Sequence, residues 1–114
     1  MTMQGLAQPV FDTERLRVFR IDVKPNDIDG TRAIFIGFLK EEDCPYVVIT
    51  ATVHLDAPNI GHYLEMIHTH DFWRGGGCAT QLWLGMEKHL GARVKADTIT
   101  EDGRKLQEAV DRRR

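Results

Sequence analysis

The hydrophobic positions of this chain follow two different periods, and the change from one to the other falls at a run of glycines. Before that run the pattern is that of strands. Arg15 to Ile21 alternates loosely and is rich in β-formers, while Ala33 to Leu39 is an unbroken apolar run of strand length, expected to be buried on both faces. After a turn at Glu41 to Pro45, Tyr46 to Leu55 sets Val47, Ile49, Ala51, Val53 and Leu55 on one side and Thr50, Thr52 and His54 on the other, which reads as the second arm of a hairpin. A fourth segment, about His62 to His70, follows the break at Asp56 to Asn59 and runs into the glycines.

From Gly77 the period becomes helical. Ala79, Leu82, Trp83, Met86 and Leu90 share one stripe, and Gly91 supplies a stop. A short strand at about Val94 to Thr98 follows, and Thr100 with Glu101 and Asp102 opens a last helix running to about Asp111. The pattern predicts one α/β (α+β) domain over residues 1–114. Its sheet is mixed, mainly antiparallel and of about five strands, with a central helix after the glycine loop and a second helix at the C-terminus.

The junction itself, Arg74-Gly75-Gly76-Gly77-Cys78-Ala79-Thr80, has the design of an anion-binding loop. The first N–H groups of a helix lack intrahelical acceptors and lie at the positive end of its dipole, so the main chain itself can hold a phosphate. Successive glycines let that main chain approach a ligand with no Cβ in between. Two other glycine-loop readings fail on specifics. A nucleoside-triphosphate loop needs Gly-Lys followed by Ser or Thr, and no lysine occurs between Arg74 and Lys88. A dinucleotide fold needs a third glycine and an acidic residue at the end of the next parallel strand, and the hairpin-rich N-terminal half argues against it.

Composition narrows the partners. With a formal charge of -2 over 114 residues there is no electrostatic case for nucleic acid or for an anionic membrane surface. No segment approaches the ~20 apolar residues of a membrane span, and Met1 to Val10 carries no secretory pattern, so a cytoplasmic protein is expected. Cys44 and Cys78 are too few for a disulfide framework and are expected to be reduced.

The order of strands, glycine loop and amphipathic helix resembles the core of the GNAT superfamily of acetyl-CoA-dependent N-acetyltransferases. The family motif, Arg or Gln, two free positions, Gly, one free position, then Gly or Ala, is matched by Arg74, Gly77 and Ala79. Asp12 to Arg17 looks like the first strand of many members, and Thr100 to Leu106 like their last core helix. The resemblance implies acetyl-CoA as cosubstrate, with no metal. Arg74, Gly75, Gly76, Gly77, Cys78, Ala79 and Thr80 would lie against the pyrophosphate, while Ile67, His68 and Thr69 would pair strand backbone with the pantetheine arm. It implies direct attack of a primary amine, on a small molecule or a protein, upon the acetyl carbon. Glu65 is then the candidate general base and the backbone N–H of Thr69 the candidate oxyanion donor.

Three departures from the family pattern accompany it. Gln107 stands where members usually carry a tyrosine that protonates the thiolate. Only about Asp22 to Arg32, read as a loop, replaces the two helices of the acceptor wall. The terminal strands that usually follow the last core helix are missing. These departures support an alternative, an acyl-CoA-binding or interaction protein without turnover, and a homodimer completing the sheet or the acceptor site. A third reading makes the glycine loop only a tight turn in a small structural domain.

Other candidates carry ordinary readings beside the chemical ones. His62, His68 and His70 could serve as base, relay or metal pair, but Asp71 and Cys78 offer no recognisable spacing for a further ligand. Trp73 and Trp83 read as packing residues. The face of Thr50, Thr52 and His54 reads as exposed, or as the lining of an acceptor groove.

Overall fold

Among the described residues six strands form one mixed sheet in the order of the chain: β1 (Pro9–Asp12), β2 (Leu16–Val23), β3 (Arg32–Leu39), β4 (Val47–Ala57), β5 (Gly61–Thr69) and β6 (Val94–Ala96). Neighbours are antiparallel up to β5, and β5 and β6 run parallel. Helix α1 (Cys78–Leu90) connects those two, and α2 (Glu101–Arg113) follows β6. This computed structural model describes residues 9–24, 30–40, 47–70, 77–96 and 100–114. The glycines Gly75 and Gly76, with Arg74, Trp73, Asp71 and Cys44, lie outside them, as do the turn at 41–45 and residues 25–29.

The register divides the sheet into two faces. Leu16 and Val18, Ala33 and Phe35, Ile49, Ala51 and Val53, and Leu64 point to one of them, and all are buried. With Cys78, Leu82, Trp83 and Met86 of α1 and Val110 of α2 they form a single core, so both helices pack on this side. Thr100 caps α2 by accepting from the Gly103 N–H at 3.0 Å, and Gly91 ends α1 at φ 71° with its N–H on the Glu87 carbonyl. Both ends behave as the residue types predict.

Four expectations are corrected. The sheet has six strands rather than about five, because Pro9–Asp12 pairs with β2. The Asp12 to Arg17 phrase therefore spans a strand end, a turn and a strand start. That turn is closed by Thr13, whose N–H donates to the Leu16 carbonyl and whose Oγ1 accepts from the Leu16 N–H. Strand β3 is buried on one face only: Ala33, Phe35 and Gly37 are covered, whereas Ile34, Ile36 and Phe38 are only partly so. Val47 does not join the inward side of β4. The register shifts between Gly37 and Phe38, which leaves Val47 42% exposed and Val48 buried. A bulge inserts one residue and reverses the alternation beyond it, which strict periodicity cannot foresee. Finally, α2 runs to Arg113 rather than Asp111, while the expected end of β6 at Thr98 lies outside the described residues.

One polar junction ties β6 and α2 to α1. The Glu87 carboxylate accepts from the Val94 N–H at 2.9 Å and from Arg114 Nε and Nη2 at 3.1 and 2.6 Å. Its side chain is 11% exposed. Burial raises the Glu87 pKa, but the bonds from Arg114, the Val94 N–H and Trp83 outweigh it and hold the carboxyl below its usual range. A carboxyl depressed in the folded state contributes stability that is present above its unfolded pKa and lost as pH falls through the folded one. Glu87→Gln is therefore expected to lose about 1–3 kcal/mol at neutral pH. The gap to wild type should begin to close as pH falls below about 4, near the unfolded carboxyl value, and vanish through the lower folded one, when denaturation is followed across pH. A gap independent of pH would assign the loss to packing.

Candidate functional site

Strands β5 and β6 share a ladder only from His62–Val94 to Leu64–Ala96 among the described residues, while β5 continues five residues further, to Thr69. At ~3.3 Å per residue that is about 16 Å of strand beyond the parallel ladder. Glu65 is a bulge, since Val53 pairs with Leu64 and Thr52 with Met66. A bulge adds local twist. A cleft of about 710 Å³ opens here, bounded by β5 from Leu64 to Thr69, the start of α1, Trp83, Ala96 and the near side of α2.

The strand presents main chain to this cleft. The His70 N–H donates to the Val48 carbonyl at 2.8 Å, on the β4 side. Successive residues of a strand turn their backbone groups to opposite edges, so His68 also faces β4 while Ile67 and Thr69 direct theirs toward the cleft. Of the three residues expected to pair with an extended ligand, two present their backbone there and His68 does not.

The two helix starts differ in kind. At α2 the orphan N–H groups meet their own cap, Thr100, and the acids Glu101 and Asp102 lie in the first turn. At α1 the N-cap is Gly77, at φ 81°, with no side-chain cap bond and no acid in the first turn. Its first intrahelical bond runs from the Gln81 N–H to the Gly77 carbonyl, so the N–H groups of Cys78, Ala79 and Thr80 precede the helical ladder. Gly77, Cys78, Ala79 and Thr80 all line the cleft. Among the described residues, a Cβ built on Gly77 meets nothing within 4 Å. This is an open, positively polarised helix end facing a cavity.

The start of α1 is held in place from the other side of the core. Gln81 Oε1 accepts from Thr13 Oγ1 at 2.8 Å and from the Arg15 N–H at 3.1 Å, pinning the β1–β2 turn to the first turn of the helix. Further along, a Cβ on Gly85 would lie 2.4 Å from the Phe11 ring, so that glycine allows β1 to approach α1. Trp83 lies on the floor and donates from Nε1 to the Val94 carbonyl at 3.1 Å. On the α2 wall, Gly103, Leu106 and Ala109 recur at three-residue spacing and face the cleft. Sequence reading missed these three and Gln81. The small residues among charged neighbours on α2 were the available signal; the Gln81 bonds, spanning more than 60 residues, had none.

Cys78, at the free position of the motif and expected against the pyrophosphate, has its side chain in the core, with 1% exposure. Burial pushes its thiol above the usual range, against a smaller downward pull from the Arg15 charge. Desolvation here outweighs the first-turn position that could have activated it. In a Cys44→Ser background, native protein is accordingly expected to leave Cys78 unmodified by a thiol-specific chromogenic disulfide at neutral pH, with one equivalent reacting after denaturation. Rapid native reaction would show that the loop does not bury it.

Glu65 is engaged: Arg32 Nε donates to its Oε1 at 2.9 Å. A substrate amine or water reaching Glu65 would compete with this charge-assisted bond. Gln107 Nε2 donates to Asp111 Oδ1 at 3.2 Å, along the helix, and Gln107 is not part of the cleft lining. The histidines are not gathered. His62 Nδ1 accepts from the Asp56 N–H near the β4–β5 turn, whereas His68 sits six residues further along β5. Among the described residues no group of three His, Cys, Asp or Glu side chains is placed to hold a metal ion. Nor is any helix among them long and apolar enough to cross a membrane. No family model matches this chain, and no curated protein or solved structure does.

Proposed function

We propose that the cleft between β5 and α2 binds acetyl-CoA and that the protein is a compact N-acetyltransferase of the GNAT kind. The observation that carries this reading is the start of α1: an uncapped, acid-free helix end opening onto a cavity beside strand backbone. A pyrophosphate at Gly77 to Thr80 satisfies that helix end. From there a pantetheine arm runs along Ile67 to Thr69 as an added strand, its amides meeting the main chain that faces the cleft. The thioester then reaches the β5 bulge.

A neutral primary amine, on a small molecule or a protein, attacks the acetyl carbonyl carbon. The C–N bond forms, the carbonyl oxygen takes the charge opposite the Thr69 N–H, the C–S bond breaks, and coenzyme A leaves as thiolate. The amine proton passes through water to Glu65, whose bond to Arg32 must loosen for the transfer. Free thiols and acetyl-CoA suit the cytoplasm, the compartment we assign.

One observation favours a second reading, acyl-CoA binding without turnover. No hydroxyl acid takes the usual tyrosine position: Gln107 stands there, bonded to Asp111 and apart from the cleft lining, and Glu65 is tied up by Arg32. Calorimetric titration with acetyl-CoA, followed by free-thiol release across a panel of primary amines, separates the two. Binding in the micromolar range with amine-dependent release supports transfer; binding without release supports the second reading. No binding by folded protein removes both.

A further inference from the structure

The sheet face away from the helices carries most of the exposed large hydrophobic side chains among the described residues. Its rows, read across β2 to β5, are Val23, Arg32, His54 and Tyr63; Ile21, Ile34, Thr52 and Met66; Phe19, Ile36, Thr50 and His68; and Arg17, Phe38 and Val47. Phe19 and Phe38 meet edge to face with centroids 5.5 Å apart. Of the large hydrophobic residues that are exposed among the described ones, Ile21, Val23, Val47 and Met66 all belong to this face, with Met66 52% exposed. Both helices pack on the other side.

We propose that this face is the contact between two copies of the chain, stacked sheet on sheet about a twofold axis. Self-association fits its chemistry. The two central rows contain no formally charged side chain other than His68, so a twofold can lay them on themselves without opposing fixed like charges. The charged residues stand in the outer rows and are already neutralised within one chain: Arg32 by Glu65 at 2.9 Å and Arg17 by Asp12 at 3.5 Å. A partner of opposite charge has nothing to read there, whereas a second apolar face does. The extent is also sufficient. Four strands ~4.8 Å apart and four rows ~6.7 Å apart cover about 500 Å² per copy, or about 1,000 Å² for the pair, which reaches the lower limit of specific interfaces. Two such faces pack ~10 Å apart with their side chains interleaved. The contact would also place a second copy over β4 and β5, roofing the surface of Thr50, Thr52 and His68 beside the thioester end of the cleft.

Sedimentation equilibrium of the chain, from low to high micromolar concentration, is expected to give twice the 13.0 kDa chain mass. Over the same range, peroxide oxidation of Met66 should slow severalfold as the face is covered. The double variant Ile21→Lys, Met66→Lys is expected to be monomeric with unchanged far-ultraviolet circular dichroism, because both side chains are substantially exposed in one copy. Its melting temperature should also lose the concentration dependence of the wild type. A wild-type monomer at every concentration overturns the proposal and leaves the face to a different partner or to another part of the chain. A dimer in which Met66 oxidises at an unchanged rate overturns it as well, and moves the contact elsewhere. The oxidation readout needs no variant and holds even if the lysines impair folding.

Discussion

Trp83→Ala is expected to lower the stability of the protein by about 3–5 kcal/mol, the usual cost of removing a large buried aromatic. Against a total of roughly 5–15 kcal/mol for a domain, that leaves a marginal fold. Two losses combine. Trp83 is 1% exposed and belongs to the core shared by both helices and the sheet, so its removal leaves a cavity beside Leu82 and Met86 that the surrounding elements cannot fully close. Its Nε1 also serves the buried Val94 carbonyl at 3.1 Å, at the start of β6, which is described over three residues. Trp83→Phe separates the terms: much of the apolar volume stays while the carbonyl loses its donor, for an expected cost of about 1–3 kcal/mol. Urea denaturation with an unchanged slope and a lower midpoint would show this. Near-equal costs for the two variants would mean that the hydrogen bond carries the effect and the volume does not.

The parts of this fold that could be read in advance share one property: their signal is local. The α1 stripe, its Gly91 stop and the Thr100 cap each follow from residues within one or two turns, and each stands where expected. The strands were legible as segments, but their edges and burial were not. Whether Ile34 and Ile36 are covered depends on what lies across the sheet, and whether Val47 or Val48 turns inward depends on a bulge set by the partner strand. Apolar periodicity reports that a face is hydrophobic, not that something covers it.

The candidate site divides along the same line. The glycine junction was visible as a sequence of residue types, and the structure sets Gly77 to Thr80 on a cleft. The Arg32–Glu65 pair was invisible, because its members lie 33 residues apart and meet only through two strand registers. It alters the chemistry expected of Glu65 more than any local feature could. Residues 74–76, the upstream half of the loop, lie outside the described residues.

Gly77→Glu is expected to weaken acetyl-CoA binding at least about a hundredfold, near 2.7 kcal/mol, while Gly77→Ala weakens it only a few-fold. The pair is informative because the backbone treats both side chains alike. Gly77 stands at φ 81°, where any L-residue pays ~1–2 kcal/mol, and both variants should lose about that much stability. Neither Cβ collides with the described residues, none of which lies within 4 Å of that position apart from its chain neighbours. What differs is a carboxylate at the mouth of an anion site. It competes for the N–H groups of Cys78, Ala79 and Thr80 and repels the phosphates they would hold. Titration of both variants against wild type then separates charge from conformation. A large loss for glutamate alone supports a phosphate at the start of α1; equal losses trace the effect to the strained backbone. If all three bind equally, α1 does not hold the cofactor, and the acetyltransferase reading falls with it.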